Sequence, residues 1–192
     1  IMDLFPSRYI HLGGDEAPKT VWHDCPLCNA QMKRQGLHDY EQLQAYFTAR
    51  LIGHVKAAGR TPIVWNESAA SGALDESAVV QYWTEMAPGE SYMVPEITKG
   101  RRMILSDGDC LYCSNSYAEM PLKSTLMYRP NVKGTPVPEA CVKGIEAPMW
   151  TEWTATAEDV EKQLWPRLLA VAELGWTKDR KADEFLDRAC QY

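Results

Sequence analysis

The sequence predicts an α/β fold, specifically the C-terminal portion of a (β/α)8 TIM barrel from strand four to strand eight. Short apolar runs alternate with amphipathic helices, which is the pattern of parallel α/β folds. Acidic and aromatic residues follow several of these runs, as they do at the carboxyl ends of barrel strands. Five such runs in 192 residues fall short of the eight strands and roughly 250 residues of a whole barrel.

The first predicted strand covers residues 8–13 and runs through two glycines into Asp15 and Glu16. Glycine permits the tight backbone that residues with a Cβ resist. Two adjacent carboxylates repel each other when both are buried and ionised, so one pKa rises, and a carboxyl kept protonated near pH 7 can act as an acid. Asp15 and Glu16 are therefore the candidate catalytic pair, although a Gly-Gly-Asp-Glu sequence taken alone is typical of a solvated turn.

The remaining elements alternate along the chain. Residues 17–38 predict a long connection without regular structure, because proline and glycine are spread through it. Asp39 predicts a helix cap, followed by an apolar stripe at i, i+4 spacing and a closing Gly59. The stripe consists of Leu43, Phe47, Leu51 and Val55. Further strands are predicted over residues 61–65, 78–83, 102–106 and 144–150, a loop over 107–143, and further helices over 90–99, 156–174 (bent near Pro166) and 181–190.

Tryptophans end three of the predicted strands, at Trp65, Trp83 and Trp150. A single tryptophan is more often core packing than a ligand contact. Their recurrence at strand ends, together with the two carboxylates, favours a barrel site built from several strands over the switch-point site of an open sheet.

The composition excludes several classes of function. The net charge is −6 with acids and bases mixed, so no basic patch for nucleic acid is present, and no apolar run reaches the roughly 18 residues of a membrane span. Six cysteines include two C-x-x-C pairs, at Cys25/Cys28 and Cys110/Cys113. Free thiols typical of a reducing compartment such as the cytoplasm are the favoured interpretation, and a zinc-stabilised structural module is the alternative. A secreted location stays open.

A series of different short motifs extends along most of the chain. They are Leu4-Phe5-Pro6, His11-Leu12-Gly13-Gly14-Asp15-Glu16, Val64-Trp65-Asn66-Glu67, Val80-Gln81-Tyr82-Trp83, Ile104-Leu105-Ser106, Tyr112, Pro121-Leu122, Trp150-Thr151-Glu152, Pro166-Arg167 and Ala172-Glu173. In these residues the chain resembles glycoside hydrolase family 20, the β-N-acetylhexosaminidases.

The resemblance implies a retaining, substrate-assisted glycosidase that removes terminal β-linked GlcNAc or GalNAc from an amino-sugar glycoside. The substrate's 2-acetamido oxygen attacks the anomeric carbon and forms an oxazolinium intermediate. By this resemblance Glu16 is the general acid and then the base for water. Asp15 accepts the acetamide N–H, stabilises the developing positive charge and raises the pKa of Glu16. No cofactor and no metal are expected.

The resemblance also implies roles for six other residues. Tyr112 donates a hydrogen bond to the acetamide oxygen, and Glu152 accepts hydrogen bonds from sugar hydroxyls. His11 contacts the site residues rather than the substrate. Three indoles surround the N-acetyl group and pack against one face of the sugar ring, since aromatic faces suit the axial C–H surface of a pyranose and exclude water. These indoles are Trp65, Trp83 and Trp150.

The chain departs from the family pattern at two points. The family usually has Tyr-Leu-Asp where this chain has Tyr112-Cys113-Ser114, so Ser114 replaces the acid that binds a distal hydroxyl. Either Asp109 or Asn115 makes that contact, or the substrate range differs. The family's arginine clamp and a His-bearing motif belong to earlier strands, which are absent from this chain.

Residues 1–192 are accordingly predicted to be a partial catalytic domain without its N-terminal strands. We expect this polypeptide to be inactive alone and to be completed by the missing barrel portion or by a second chain. The rival interpretation is a non-catalytic carbohydrate-binding remnant, against which the retained acids argue because binding does not need a proton donor.

Overall fold

The computed structural model describes residues 1–86 and 89–190. The polypeptide divides into two compact units: Ile1–Gln81 with Glu85–Met103, and Tyr82–Thr84 with the described residues from Ile104 onwards. The strands are β1 (Tyr9–His11), β2 (Thr61–Trp65), β3 (Val79–Tyr82), β4 (Met103–Leu105), β5 (Asn131–Val132), β6 (Thr135–Pro136) and β7 (Val142–Ile145). The α-helices are α1 (Thr20–His23), α2 (Pro26–Gln35), α3 (Tyr40–Ala57), α4 (Met93–Thr98), α5 (Leu122–Leu126), α6 (Ala157–Leu164), α7 (Arg167–Trp176) and α8 (Ala182–Ala189).

Five strands form one sheet in the order β1-β2-β3-β4-β7. The first three are parallel, with Ile10 opposite Pro62 in β2 and Val64 opposite Val80 in β3. Consecutive parallel strands with helices between them confirm the α/β class that the alternation predicts.

The last strand of this sheet differs from its predicted position. The prediction placed it over residues 144–150, whereas β7 covers Val142–Ile145. Pro148 has no N–H to donate to a ladder, and its carbonyl instead accepts a hydrogen bond from the Cys113 N–H at 2.8 Å. Trp150 therefore lies beyond the strand end rather than on it.

The segment 17–38 is helical, so the prediction of a connection without regular structure was wrong. Pro26 occupies the first turn of α2, where its missing N–H costs nothing, and the Cys25 side chain caps that turn. Gly36 ends the helix with a φ of 65°. The proline and glycine that indicated loop thus mark the start and the end of a helix.

The predicted loop over 107–143 also contains regular structure. Helix α5 lies within it, and β5 pairs antiparallel with β6. Lys133 and Gly134 connect the two strands with φ values of 46° and 80°, the left-handed backbone of a tight hairpin turn.

The helix caps agree with the sequence prediction. Asp39 Oδ1 accepts the Gln42 N–H at 2.7 Å, while the Gln42 side chain accepts from His38 one residue before the cap. Gly59 adopts a φ of 70° after α3. Thr156 and Asp159 form a complete capping box at α6, and α6 and α7 are separate helices around the predicted interruption at Pro166.

The buried face of α3 in the first unit is rotated from the predicted stripe. Its buried residues are Leu43, Gln44, Thr48, Ile52 and Val55, whereas Phe47 is 61% exposed. Two polar positions therefore belong to the buried face, whereas two residues of the predicted stripe do not, because Phe47 is exposed and Leu51 is half-buried.

The second unit has a core cluster of Leu126, Ala170 and Phe185 from α5, α7 and α8. Arg167 at the start of α7 is also fully buried. Burial of a guanidinium is costly unless its donors are satisfied. Backbone carbonyls accept hydrogen bonds from both Nη groups of Arg167, whereas its Nε has no hydrogen-bond partner among the described residues.

Candidate active site

The turn after β1 carries the predicted catalytic pair. Pairing with β2 continues past β1, because the Leu12 N–H donates to Ile63 O at 2.8 Å and the Trp65 N–H donates to Gly13 O at 3.0 Å. Gly13 and Gly14 then adopt φ values of 73° and 105°. Residues with a Cβ resist this left-handed backbone, so two successive glycines are what allow the chain to reverse here.

Two buried polar side chains contact Gly14 on its inner side, one through a hydrogen bond and one by close packing. Gln44 of α3 donates through Nε2 to Gly14 O at 2.7 Å. Ser68 follows β2, and a Cβ added at Gly14 would overlap its hydroxyl. Gln44 and Ser68 are 6% and 4% exposed. Sequence analysis missed both residues, because a polar residue beside an apolar stripe carries no signal of which way it faces.

Asp15 and Glu16 present their side chains at the surface of the first unit, where both are exposed. Glu16 has a φ of 43°, a conformation that is uncommon for a residue other than glycine and that is enriched at functional sites. The turn therefore delivers two adjacent carboxylates at a strand end, within reach of a substrate.

His11 joins the same group. Its Nδ1 accepts the Gly13 N–H at 3.0 Å, and its ring centroid lies 5.3 Å from that of Trp65 at an interplanar angle of 58°. A neutral imidazole whose Nδ1 accepts carries its proton on Nε2. The first unit thus brings His11 and Trp65 together with the turn that carries Asp15 and Glu16.

A cavity of about 220 Å³ also borders this turn, on the side of α3. Asp15 and Trp22 line it, together with Phe47 and other mainly apolar residues. Neither Glu16 nor Trp65 belongs to its walls.

The second unit assembles an aromatic cluster around Tyr112. The Tyr112 and Trp83 rings are stacked, with centroids 6.0 Å apart and an interplanar angle of 11°. The Trp150 ring lies 6.1 Å from Tyr112 at 58°. Such offset and tilted pairs are favoured by the ring quadrupoles. The predicted tyrosine and two of the three predicted indoles therefore share one surface.

Backbone hydrogen bonds explain how residues so far apart in sequence meet. The Gly108 N–H donates to Trp83 O at 2.9 Å, which fixes the start of the loop after β4 beside the end of β3. The Cys113 N–H donates to Pro148 O at 2.8 Å, which ties the residue after Tyr112 to the segment that carries Trp150.

Arg167 anchors the loop beyond Tyr112. Its Nη1 donates to Cys113 O at 2.9 Å and to Asn115 O at 2.6 Å, and its Nη2 donates to Met120 O at 3.0 Å. The guanidinium carbon lies 3.8 Å from the Tyr117 ring centroid. The motif containing Arg167 pointed to this residue, but its role in holding the loop was not foreseen.

Glu152 and Trp150 lie on the segment between β7 and α6. Both side chains are exposed, Trp150 by 43%. The sequence prediction set Trp150 at a strand end, and the shorter β7 corrects that position while leaving the indole against Tyr112.

The three residues considered for the distal hydroxyl differ in their surroundings. Ser114 is half-buried, and Asp109 is exposed. Asn115 donates through Nδ2 to Gly108 O at 2.7 Å, so its amide already serves the loop. Of the two alternatives to Ser114, Asp109 is therefore exposed, whereas the Nδ2 of Asn115 is already hydrogen-bonded to the loop backbone.

Asp107 is a half-buried acid in the same loop that sequence analysis did not single out. Burial raises the pKa of its carboxyl above the ordinary range. Its Oδ1 accepts the Asp109 N–H at 3.0 Å, an Asx-turn contact that shapes the loop. No sequence pattern distinguished it from a solvated loop acid.

Residues 1–86 and 89–190 contain neither a cluster of metal ligands nor a helix that could span a membrane. In that part of the chain no group of three or more His, Cys, Asp or Glu side chains could hold a metal ion, and all six cysteines are free. None of the described helices has the length and apolar character needed to span a bilayer.

Comparison with known proteins places these features in a family. The model "Glycosyl hydrolase family 20, catalytic domain" matches residues 1–179. The chain is 34% identical to a beta-hexosaminidase of Porphyromonas gingivalis, over 99% of this chain and 26% of that protein. It is 33% identical to the beta-hexosaminidase subunit alpha of Rattus norvegicus, over 93% of this chain and 34% of the relative.

A solved structure agrees with these relatives. The chitobiase of Flavobacterium johnsoniae superposes with a TM-score of 0.82 and 29% identity, over 100% of this chain and 29% of that one. The chain therefore spans about a quarter to a third of the proteins it matches.

Proposed function

Since this chain belongs to glycosyl hydrolase family 20, we propose that it carries the catalytic acid and part of the sugar-binding surface of a β-N-acetylhexosaminidase. Relatives at 33–34% identity are named beta-hexosaminidases, which supports a terminal N-acetylhexosamine as the group released. The chain spans only part of these relatives, so the activity is proposed for the whole protein to which residues 1–192 contribute.

The single observation that carries this proposal is the turn after β1. It places Asp15 and Glu16 side by side at a strand end, both exposed, with the backbone held by Gly13 and Gly14. The two acids are consecutive residues at one strand end, whereas the usual nucleophile and acid lie on either side of the sugar, with carboxyl groups about 5 Å or more apart. Adjacent acids suit a reaction in which the substrate supplies its own nucleophile.

In the proposed mechanism the 2-acetamido oxygen attacks the anomeric carbon while Glu16 protonates the departing glycosidic oxygen. Asp15 accepts the acetamide N–H and stabilises the positive charge that develops on the oxazolinium ring. Water then attacks the anomeric carbon on the face left by the aglycone, and Glu16 removes its proton. Configuration is retained because the anomeric carbon is attacked twice.

His11 and Trp65 are proposed to support this chemistry within the first unit. The hydrogen bond from the Gly13 N–H orients the His11 ring, and that ring lies beside the Trp65 indole. An imidazole held in this way restricts the turn and so limits the movement of the adjacent acids.

The cluster around Tyr112 is proposed to bind the sugar and its acetamide group. The indoles of Trp83 and Trp150 give flat apolar surfaces beside a phenol that can donate one hydrogen bond. Glu152, exposed on the same segment as Trp150, is proposed to accept hydroxyl protons from the sugar.

Replacement of the acid tests this mechanism in the complete enzyme. We expect Glu16→Gln to lower kcat by about 10²–10⁴-fold with little change in KM, because the amide keeps the shape but cannot give up a proton. Steady-state kinetics with an N-acetyl-β-glucosaminide that has a poor leaving group measures both constants. Glu76→Gln, at an exposed acid of the first unit, is the matched control and should leave both unchanged.

An unchanged kcat in Glu16→Gln would reject Glu16 as the acid. A complete wild-type protein that binds N-acetylglucosamine without hydrolysing any glycoside would instead favour the carbohydrate-binding remnant.

A further inference from the structure

The sequence Cys25-Pro26-Leu27-Cys28 opens helix α2. Cys25 is the N-cap residue, with extended backbone at φ −88° and ψ 107°, and Pro26 fixes the first turn. The Cys28 N–H donates to Cys25 Sγ at 3.3 Å. The first cysteine therefore folds back over the helix start, toward the residue that carries the second.

The two thiols are close enough to interact directly. The Cys28 backbone N–H contacts the Cys25 sulfur, and both cysteines are free thiols with half-buried side chains. A disulfide requires Cα atoms roughly 4.4–6.8 Å apart and Cβ atoms turned toward each other. Residues three apart at a helix start meet the first condition, and the Cys25 sulfur, which lies over the Cys28 backbone N–H, is directed toward the second cysteine.

The helix start distinguishes the two sulfurs. Hydrogen bonds from the Cys28 thiol and N–H lower the pKa of the Cys25 thiol below its ordinary value, and the hydrogen bond with Cys25 raises the pKa of Cys28. The positive end of the dipole of this ten-residue helix favours a thiolate at the cap. Cys25 is thus the sulfur that attacks first, and Cys28 is the sulfur that then attacks the mixed disulfide on Cys25.

Ordered neighbours hold this helix start in place. Asn29 Nδ2 donates to His23 O at 2.8 Å, and Tyr40 Oη donates to Asn29 Oδ1 at 2.9 Å. The His23 ring lies 4.5 Å from the Tyr40 ring. These contacts fix the backbone on both sides of the two cysteines and so restrict how far the two sulfurs can move apart.

We propose that Cys25 and Cys28 form a reversible dithiol–disulfide site that exchanges with low-molecular-weight disulfides such as glutathione disulfide. This site is independent of the proposed glycosidase reaction. It does not use Asp15, Glu16 or any aromatic residue of the sugar surface.

The exchange balances in two steps. The Cys25 thiolate attacks one sulfur of glutathione disulfide, the reagent's S–S bond breaks, and one glutathione thiolate leaves. Cys28 then loses its proton to solvent, its thiolate attacks the Cys25 sulfur, and the second glutathione leaves. Two protein thiols are oxidised to one disulfide while one glutathione disulfide is reduced to two thiols, and excess glutathione reverses the reaction.

The second C-x-x-C pair provides an internal control. Cys113 is buried, and burial raises the pKa of the Cys113 thiol. Burial, followed by the nearby Asp107 and Asp109 charges, raises the pKa of the Cys110 thiol to about 11. The same spacing therefore predicts no thiolate and little exchange there.

The test uses the 192-residue chain in glutathione buffers of graded oxidation, followed by an acid quench, N-ethylmaleimide labelling under denaturing conditions, trypsin digestion and mass spectrometry. Lys19 and Lys33 bound one tryptic peptide that holds both cysteines of the first pair. We expect this peptide to change from two maleimide adducts to none as the buffer becomes oxidising. The peptide that holds Cys110 and Cys113 should keep two.

Single variants identify the order of attack. Cys28→Ser should accumulate a glutathione adduct on Cys25. In Cys25→Ser, the adduct on Cys28 should form about tenfold or more slowly than the adduct on Cys25 forms in Cys28→Ser. Cys110→Ser is the matched control and should leave conversion of the first pair unchanged. Rates of iodoacetamide labelling in the unmodified chain give the same ranking without any substitution.

The proposal is overturned if the first pair stays reduced in every buffer while the exposed Cys190 becomes glutathionylated, since that adduct shows that the oxidant was active. It is also overturned if both pairs oxidise at the same glutathione ratio, because spacing alone would then explain the result.

Discussion

At the scale of single residues, Gly14 shows that the turn carrying Asp15 and Glu16 differs from an ordinary loop. Its φ of 105° is a backbone that side chains avoid, and the Ser68 hydroxyl occupies the space that a Cβ would need. Its carbonyl meanwhile accepts the buried Gln44 amide. One glycine therefore sets the direction in which the chain leaves β1 and so where Asp15 and Glu16 point.

We expect Gly14→Ala to destabilise the protein by about 1–3 kcal/mol, because the new methyl group adds both backbone strain and overlap with Ser68. Urea unfolding followed by circular dichroism measures the change. Gly53→Ala is the matched control, since Gly53 lies at an exposed position of helix α3 with open space where a Cβ would stand.

The control should instead stabilise the protein by about 0.5–1 kcal/mol, the usual gain from replacing a helical glycine with alanine. Equal effects of the two substitutions would contradict the argument from backbone conformation.

At the scale of elements, α3 is joined to the turn before β3 through an ion pair. Lys56 Nζ lies 2.8 Å from Asp75 Oδ2, and the Asp75 carbonyl accepts a hydrogen bond from Arg101 Nη1 at 2.7 Å. The hydrogen bonds from Lys56 and then Ser77 lower the pKa of Asp75 to about 2 from an ordinary value of 3.8. Ionised Asp75 is therefore favoured in the folded state.

This depressed pKa predicts how stability depends on pH. The contribution of Asp75 is fully present above its unfolded pKa and is lost as the pH falls from about 4 toward about 2, because protonation then removes the ion pair. In urea titrations across pH 3–6, Asp75→Asn should be less stable than wild type, and the gap should shrink at the acid end. Glu76→Gln is the control and should run parallel to wild type.

A gap between wild type and Asp75→Asn that widens as the pH falls would contradict this sign. The pair is partly exposed, so solvent and salt screen it, and added salt should also narrow the gap at pH 6.

At the scale of the whole molecule, the five-stranded sheet accounts for only part of a closed barrel. A complete barrel has eight strands, and the chain covers 26% and 34% of the length of two beta-hexosaminidase relatives. Large apolar side chains such as Trp153 and Trp176 are 93% and 90% exposed. Exposed surface of this kind marks a site for further contacts.

We therefore expect the purified 192-residue chain to show no measurable hydrolysis of a nitrophenyl N-acetyl-β-glucosaminide. Joining it to the upstream barrel strands, as one polypeptide or as two mixed chains, should restore turnover. The same complete protein with Glu16→Gln is the control for contaminating glycosidases. Robust turnover by the isolated chain would refute the requirement for the missing strands.

The sequence alone determined the features that depend on neighbours a few residues away. The Asp39 and Thr156 caps, the succession of the five sheet strands along the chain, and the adjacency of Asp15 and Glu16 follow from local hydrogen bonding and periodicity. Residues 17–38 were misread because Pro26 and Gly36 signal a helix boundary or a loop equally well until the helix itself is seen.

Only the tertiary structure decided which distant residues meet. Gln44 reaches Gly14 across 30 positions of sequence, and Arg167 reaches Cys113 across 54. The contacts of Tyr112 with Trp83, which is stacked on it, and with Trp150, which is tilted, likewise depend on where the backbone hydrogen bonds fix the loop after β4. Such contacts form only once distant elements pack together, and local propensity does not encode which elements do so.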